Sequence, residues 1–203
     1  MRVILLANNR VGLEVTTFLK NQGVEIVGLI IHGEQKQKLS EEIVAASGVD
    51  VAHVFDGSKL EESMDAIKAL NPDMGISLFF DYILKKEFID IFPSGCINLH
   101  PAYLPFNRGS YPNVYAITDG TPAGATLHYI DEGIDSGDVI TRKEVTIEPT
   151  DTGKTLYGKL EDACVGLFTD TWPKLVDGSA ARTPQSELEV GTTHKYADAE
   201  KFD

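Results

Sequence analysis

Apolar positions in this chain fall into short unbroken runs, separated by stretches in which they recur every three or four residues. Residues 2–7 (RVILLA), 25–32 (EIVGLIIH) and 73–79 (DMGISLF) hold apolar side chains at successive positions, as strands buried on both faces do. Residues 49–55 (VDVAHVF) and 95–100 (GCINLH) predict two more short strands. Between them, residues 12–23, 40–48, 58–70 and 85–92 predict helices, the first closed by Gly23 and the second capped by Ser40. Strands that are apolar on both faces and alternate with helices imply a mostly parallel sheet covered on each side, a doubly wound α/β domain.

The rhythm changes after residue 120. Residues 124–131 (GATLHYID) and 138–147 (DVITRKEVTI) alternate apolar with polar positions, predicting half-exposed antiparallel additions in the C-terminal half. A long helix is predicted over 150–177, with Thr150 or Asp151 capping its first turn. From Ala180 the periodicity fades. The expected organisation is one catalytic domain over 1–180 and a polar tail or small appended element over 181–203.

Composition narrows the partners. Eighteen Lys and Arg against 31 Asp and Glu leave a formal charge of -13, with no basic cluster to displace counterions from a nucleic-acid backbone, so no nucleic-acid partner is expected. No apolar stretch is long enough to span a membrane, and the N-terminus lacks a signal-peptide pattern. Cys96 and Cys164 lie in apolar surroundings, which fits free thiols in a cytoplasmic protein.

The strand over 95–100 carries the candidate chemistry. Asn98 and His100 are two residues apart and project from the same face, at the end where ligands of open α/β sheets bind. Pro101 removes a backbone donor and ends the ladder. A polar turn follows in YIDEGIDSGDVI (129–140), with Asp131, Glu132, Asp135 and Asp138 among glycines; the spacing is not that of a calcium loop. An Asp from this turn set against His100 would fix its tautomer. The remaining histidines (His32, His53, His128 and His194) show no ligand spacing; no metal is expected, and His128 reads as structural.

INLHPAYLPFNRG followed by GATLHYIDEGIDSGDVI resembles the catalytic core of the 10-formyltetrahydrofolate-dependent formyltransferases, a Rossmann-like fold. The resemblance implies a one-carbon transferase with Asn98, His100 and Asp135 as its reacting trio. It places the folate pocket at residues 79–86, around Phe80, Tyr82 and Leu84, with Asp131 and Gly133 in the opposite wall; Phe79 and Phe80 could equally be core. Within such a site the Asn98 amide would donate to the developing oxyanion, His100 would manage the amine's proton and Asp135 would support the imidazolium.

The loop PAYLPFNRGSYPNVYAI (101–117) is most similar to that of the nucleotide-sugar N-formyltransferases of surface-polysaccharide (O-antigen, lipopolysaccharide) biosynthesis. That likeness implies an acceptor held by Tyr103, Asn107, Arg108 and Tyr111, with Arg108 pairing a phosphate and a Tyr stacking or simply packing. The first-strand loop ANNRVG (7–12) is not a glycine-rich phosphate cradle, which counts against glycinamide ribonucleotide as acceptor. Methionyl-tRNA enzymes add an RNA-binding domain, for which no residues are left after 203. These two acceptors, or a non-catalytic folate-binding relative, are the alternatives. A homodimer is compatible with the sequence.

Overall fold

The computed structural model describes residues 1–198, and the chain forms two compact units divided after Asn98. In the first unit β1 (Arg2–Ala7), β2 (Glu25–Ile31), β3 (Val54–Asp56), β4 (Met74–Leu78) and the start of β5 (Cys96–His100) lie in the order β3-β2-β1-β4-β5. β1 pairs in parallel with β2 on one side and β4 on the other, and β2 pairs in parallel with β3. The chain thus builds outward from β1 and then returns to its other side, which is the doubly wound order that the alternation predicts.

α1 (Asn9–Asn21) buries Val11, Val15 and Leu19, four residues apart, and starts three positions before the predicted helix. Asn8 does not cap it. Its side chain instead accepts from the Lys38 amide at 2.9 Å and donates to the Lys36 carbonyl at 3.3 Å, tying a loop to the end of β1. α2 (Ser40–Ser47) also departs from expectation: Ser40 is its first residue rather than its cap, and left-handed Leu39 precedes it. The predicted strand at 49–55 shrinks to β3 because the Asp50 carboxylate accepts from the Ala52 amide and folds Val51–His53 into a 3₁₀ turn. The predicted helix at 58–70 likewise splits. Asp56 accepts from both the amide and the hydroxyl of Ser58, a 3₁₀ segment fills Gly57–Ser63, and only α3 (Met64–Ala69) is α-helical. α4 (Lys86–Ile89) closes the unit's helices.

The second unit holds the end of β5, then β6 (Arg108–Gly109), α5 (Pro112–Thr118), β7 (Ala123–Tyr129), β8 (Val139–Val145), α6 (Gly153–Asp177) and β9 (Thr193–His194). β7 and β8 are antiparallel, as predicted, with a register shift between Leu127 and His128. β7 is not half-exposed, however: six of its seven residues are buried, and α5 and α6 pack against it. Its polar members are buried with partners. The Thr126 hydroxyl donates to the Ala102 carbonyl at 2.7 Å and accepts from the Leu104 amide at 3.0 Å. α6 is capped by Thr152, not Thr150 or Asp151, through a reciprocal bond with Thr155. It buries Leu156, Leu160, Cys164, Leu167, Phe168, Trp172 and Leu175 along one stripe; each large apolar side chain so buried contributes roughly 1.5–3 kcal/mol.

The polar segment after Ala180 is built into this unit as far as it is described. Thr183 bridges to Val139, Gln185 is buried, and β9 pairs in parallel with β6. Residues 199–203 of the predicted tail lie outside the described residues. No helix among the described residues is long and apolar enough to cross a membrane.

Candidate active site

β5 runs from buried Cys96 through half-buried Asn98 to His100, which is 7% exposed, and strand geometry puts Asn98 and His100 on one face. Beyond Pro101 the chain folds through three left-handed residues, Asn107 (φ 57°), Gly109 (φ 89°) and Tyr111 (φ 53°). In the turn after β7, Asp131 accepts from the Gly133 amide at 3.0 Å and the Ser136 hydroxyl at 2.8 Å, so its carboxylate builds the turn. Asp135 emerges from it in a left-handed conformation, φ 49°.

The Asp135 carboxylate is the centre of the site. One oxygen accepts from the Gly109 amide at 2.9 Å and lies 3.5 Å from His100 Nε2; the other lies 3.5 Å from His128 Nε2. The two imidazoles stand edge to face, with centroids 6.2 Å apart. His128 Nδ1 is 2.7 Å from the Tyr129 carbonyl, which can only accept, so that nitrogen carries a proton. Asp135 thus lies between two imidazoles, that of His100 and that of His128.

Burial lowers the His100 pKa below 6.5; the Asp135 charge and a hydrogen bond with the Asn107 backbone act the other way, and His128 adds to the lowering. Burial alone would raise Asp135, but the charge of His100, the hydrogen bond and charge of His128 and the Gly109 amide hold it below the usual carboxylate range. Burial thus favours the neutral imidazole, while the carboxylate's neighbours favour its ionised form. A neutral imidazole can take a proton, and the carboxylate stabilises the imidazolium that results.

The residues expected around an acceptor are placed differently from one another. Asn107 is 1% exposed; its side-chain amide donates to Thr121 Oγ1 at 2.8 Å and its side-chain oxygen accepts from Thr192. That amide holds the loop rather than facing an acceptor. Arg108 directs Nε and Nη2 to Gln185 Oε1 at 2.9 and 2.7 Å. The Tyr103 ring carries the Arg142 guanidinium 4.3 Å from its centroid. Tyr111 is exposed and lies 5.6 Å from the Tyr196 ring.

In the first unit, residues 79–85 between β4 and α4 take no helix or strand. Phe80 and Leu84 are buried, and Phe80 packs 4.8 Å from the His32 ring and 5.2 Å from Tyr82. A side chain at Gly57 would come within 2.5 Å of the Phe80 ring, so glycine is required there. The Tyr82 hydroxyl accepts from the Gly33 amide at 3.3 Å. Asp81, not singled out in the sequence, binds His32 at 2.7 Å and Lys36 at 3.1 Å. Among the described residues no group of three or more His, Cys, Asp or Glu is arranged to hold a metal ion.

Comparison with known proteins gives the chain a family. A family model described as formyl transferase matches residues 1–171. Methionyl-tRNA formyltransferase of Bacillus pumilus is 32% identical over 195 residues, 92% of this chain and 61% of the relative; that of Bacillus licheniformis is 32% identical over 95% of this chain and 63% of its own. The chain thus spans about three fifths of these two curated relatives. Among solved structures, a sugar N-formyltransferase from Shewanella superposes with a TM-score of 0.80 at 23% identity, covering 99% of this chain and 79% of the other. The formyltransferase PseJ from Anoxybacillus kamchatkensis, solved with UDP-4,6-dideoxy-4-formamido-L-AltNAc and tetrahydrofolate, superposes at 0.71 with 29% identity, covering 100% of this chain and 89% of its own.

Proposed function

Because this chain belongs to the formyl transferase family, we propose that it moves a formyl group from 10-formyltetrahydrofolate to an amine, with Asn98, His100 and Asp135 as the reacting residues. The observation that carries the reading is the half-buried Asp135 carboxylate 3.5 Å from the buried His100 at the end of β5. A neutral amine attacks the formyl carbon, and the carbonyl oxygen takes up negative charge, to which the Asn98 amide donates. His100 accepts the proton that the amine loses, and Asp135 stabilises the imidazolium. That proton then goes to the folate nitrogen as the C–N bond of the donor breaks, leaving tetrahydrofolate and a formamide. The irregular segment carrying Phe80, Tyr82 and Leu84 is assigned to the donor's pteridine.

For the acceptor, we favour an amino sugar carried on a nucleoside diphosphate. The enzyme solved with such a formamido sugar is 29% identical over the whole of this chain, and a net charge of -13 opposes a polyanionic RNA. The 32% identity to methionyl-tRNA formyltransferases supports the second reading, methionyl-tRNA. The test is direct. Protein, 10-formyltetrahydrofolate and one acceptor at a time (UDP- and dTDP-linked amino dideoxysugars, methionyl-tRNA, glycinamide ribonucleotide) are followed by mass spectrometry of the product. A formylated sugar nucleotide with the other two unchanged is the expected result. Efficient formylation of methionyl-tRNA would replace the sugar reading with the second one, and no transfer to any acceptor would refute the activity.

A further inference from the structure

Gln185 lies 50 residues after Asp135 and is 6% exposed, yet every hydrogen-bonding position of its amide is used around the reacting carboxylate. Its Nε2 donates to the backbone carbonyls of Asp135 and Gly137, each at 2.8 Å, and its Oε1 accepts from Arg108 Nε at 2.9 Å and Nη2 at 2.7 Å. A primary amide offers two N–H donors and two lone pairs, and all four are engaged. They end on two segments that meet at one place. One is the backbone of Asp135 itself. The other is Arg108, whose neighbour Gly109 donates its amide to the Asp135 carboxylate at 2.9 Å.

We infer that Gln185 is a positioning residue that sets the Asp135 carboxylate against His100, by clamping the backbone of Asp135 to the strand that carries Arg108 and Gly109. The inference rests on the proposed formyl transfer only for its effect on rate. Asp135 is a non-glycine residue at φ 49°, a conformation that costs roughly 1–2 kcal/mol and persists only where its surroundings hold it. The clamp supplies that hold. No residue of similar length substitutes: Glu has no donor for the two carbonyls, Met has neither donor nor acceptor, and Lys has no acceptor for Arg108. Arg108 accordingly serves the carboxylate's placement, a different task from the phosphate pairing expected of it. The pairing of β6 with β9 and the bond from the Asn107 amide to Thr192 at 2.8 Å fix the same strand from the same C-terminal segment.

The test reads the His100 imidazole by NMR titration in wild type, Asp135→Asn and Gln185→Met, alongside steady-state kinetics. Loss of the nearby carboxylate lowers the His100 pKa in Asp135→Asn. Gln185→Met should reproduce half or more of that shift and cut kcat about 10- to 100-fold, with KM for the formyl donor within about twofold. A folded Gln185→Met protein with wild-type His100 titration and wild-type kcat would overturn the inference. Should Gln185→Met fail to fold, Gln185→Glu keeps the size and the Arg108 pairing while its carboxylate repels the two carbonyls. Hydrogen exchange at the Gly109 amide should then run about tenfold faster than in wild type, since a 1.4 kcal/mol loss is tenfold; unchanged exchange counts against the clamp. If wild type transfers no formyl group, the proposed function fails, while the titration and exchange still decide what Gln185 holds.

Discussion

In the proposed formyl transfer, His100 carries two opposing demands, since it has to be neutral to accept a proton yet charged once it has done so. Burial meets the first and Asp135 the second. With the His100 pKa below 6.5, the acid limb of kcat/KM should lie below that value, and Asp135→Asn should move it lower still while crippling turnover; a limb that stays in place in Asp135→Asn would separate the two groups. Asn98→Ala should lower kcat by about 10²–10³ with binding of the formyl donor retained, as loss of an oxyanion donor does. Unchanged turnover would make Asn98 a loop anchor only. The strand period brought Asn98 and His100 to one face and the acidic turn offered a carboxylate, but only the family resemblance singled out Asp135 among Asp131, Glu132, Asp135 and Asp138. His128 was not legible, because its place beside Asp135 depends on the register shift in β7, which no local pattern announces.

Among elements, legibility followed length. Long apolar runs gave β1, β2 and β4, and the long helix emerged within a few residues of its bounds. Short segments were decided by single side chains, as at Asp50 and Asp56, whose carboxylates fold turns where periodicity suggested strand and helix. The two-residue strands β6 and β9 left no periodic trace at all, and they join positions 85 apart in sequence. Their pairing has no room for a side chain at Gly109: a Cβ there would lie 2.3 Å from the His194 carbonyl oxygen, at φ 89°. Gly109→Ala should therefore separate the strands, destabilise the protein by more than about 1 kcal/mol in denaturant titration, and withdraw the amide bonded to Asp135. A neutral result would mean that β6 yields without loss. At the start of α6, Thr152→Ala should cost about 1 kcal/mol by the same measurement, without altering the kinetics.

For the molecule as a whole, the buried ionisable groups set how it answers acid. His100 has a folded pKa below its unfolded value, so its contribution is full above about 6.5 and is lost as pH falls toward the folded value. Asp135, also lowered, contributes fully above about 3.9 and loses that contribution as pH falls through its folded value. Both losses lie on the acid side. The urea midpoint should therefore decline from about pH 6.5 downward, and His100→Gln should flatten the first part of that decline, by up to about 1.4 kcal/mol per pH unit for one proton. A decline identical in His100→Gln would assign it to other groups, His32 among them. The strap from residues 183–194 has one more consequence, in time rather than space. The bond from Gly109 to Asp135 closes a loop of 26 residues, whereas the one from Asn107 to Thr192 closes 85, an added entropic cost of about 1 kcal/mol. Folding should thus gather the residues of the candidate site first and fasten them last, leaving an interval in which the chain holds its histidines and carboxylate in reach of each other but not yet in register. Pulse-labelled exchange should find the amides of Asn107 and Arg108 among the final ones protected.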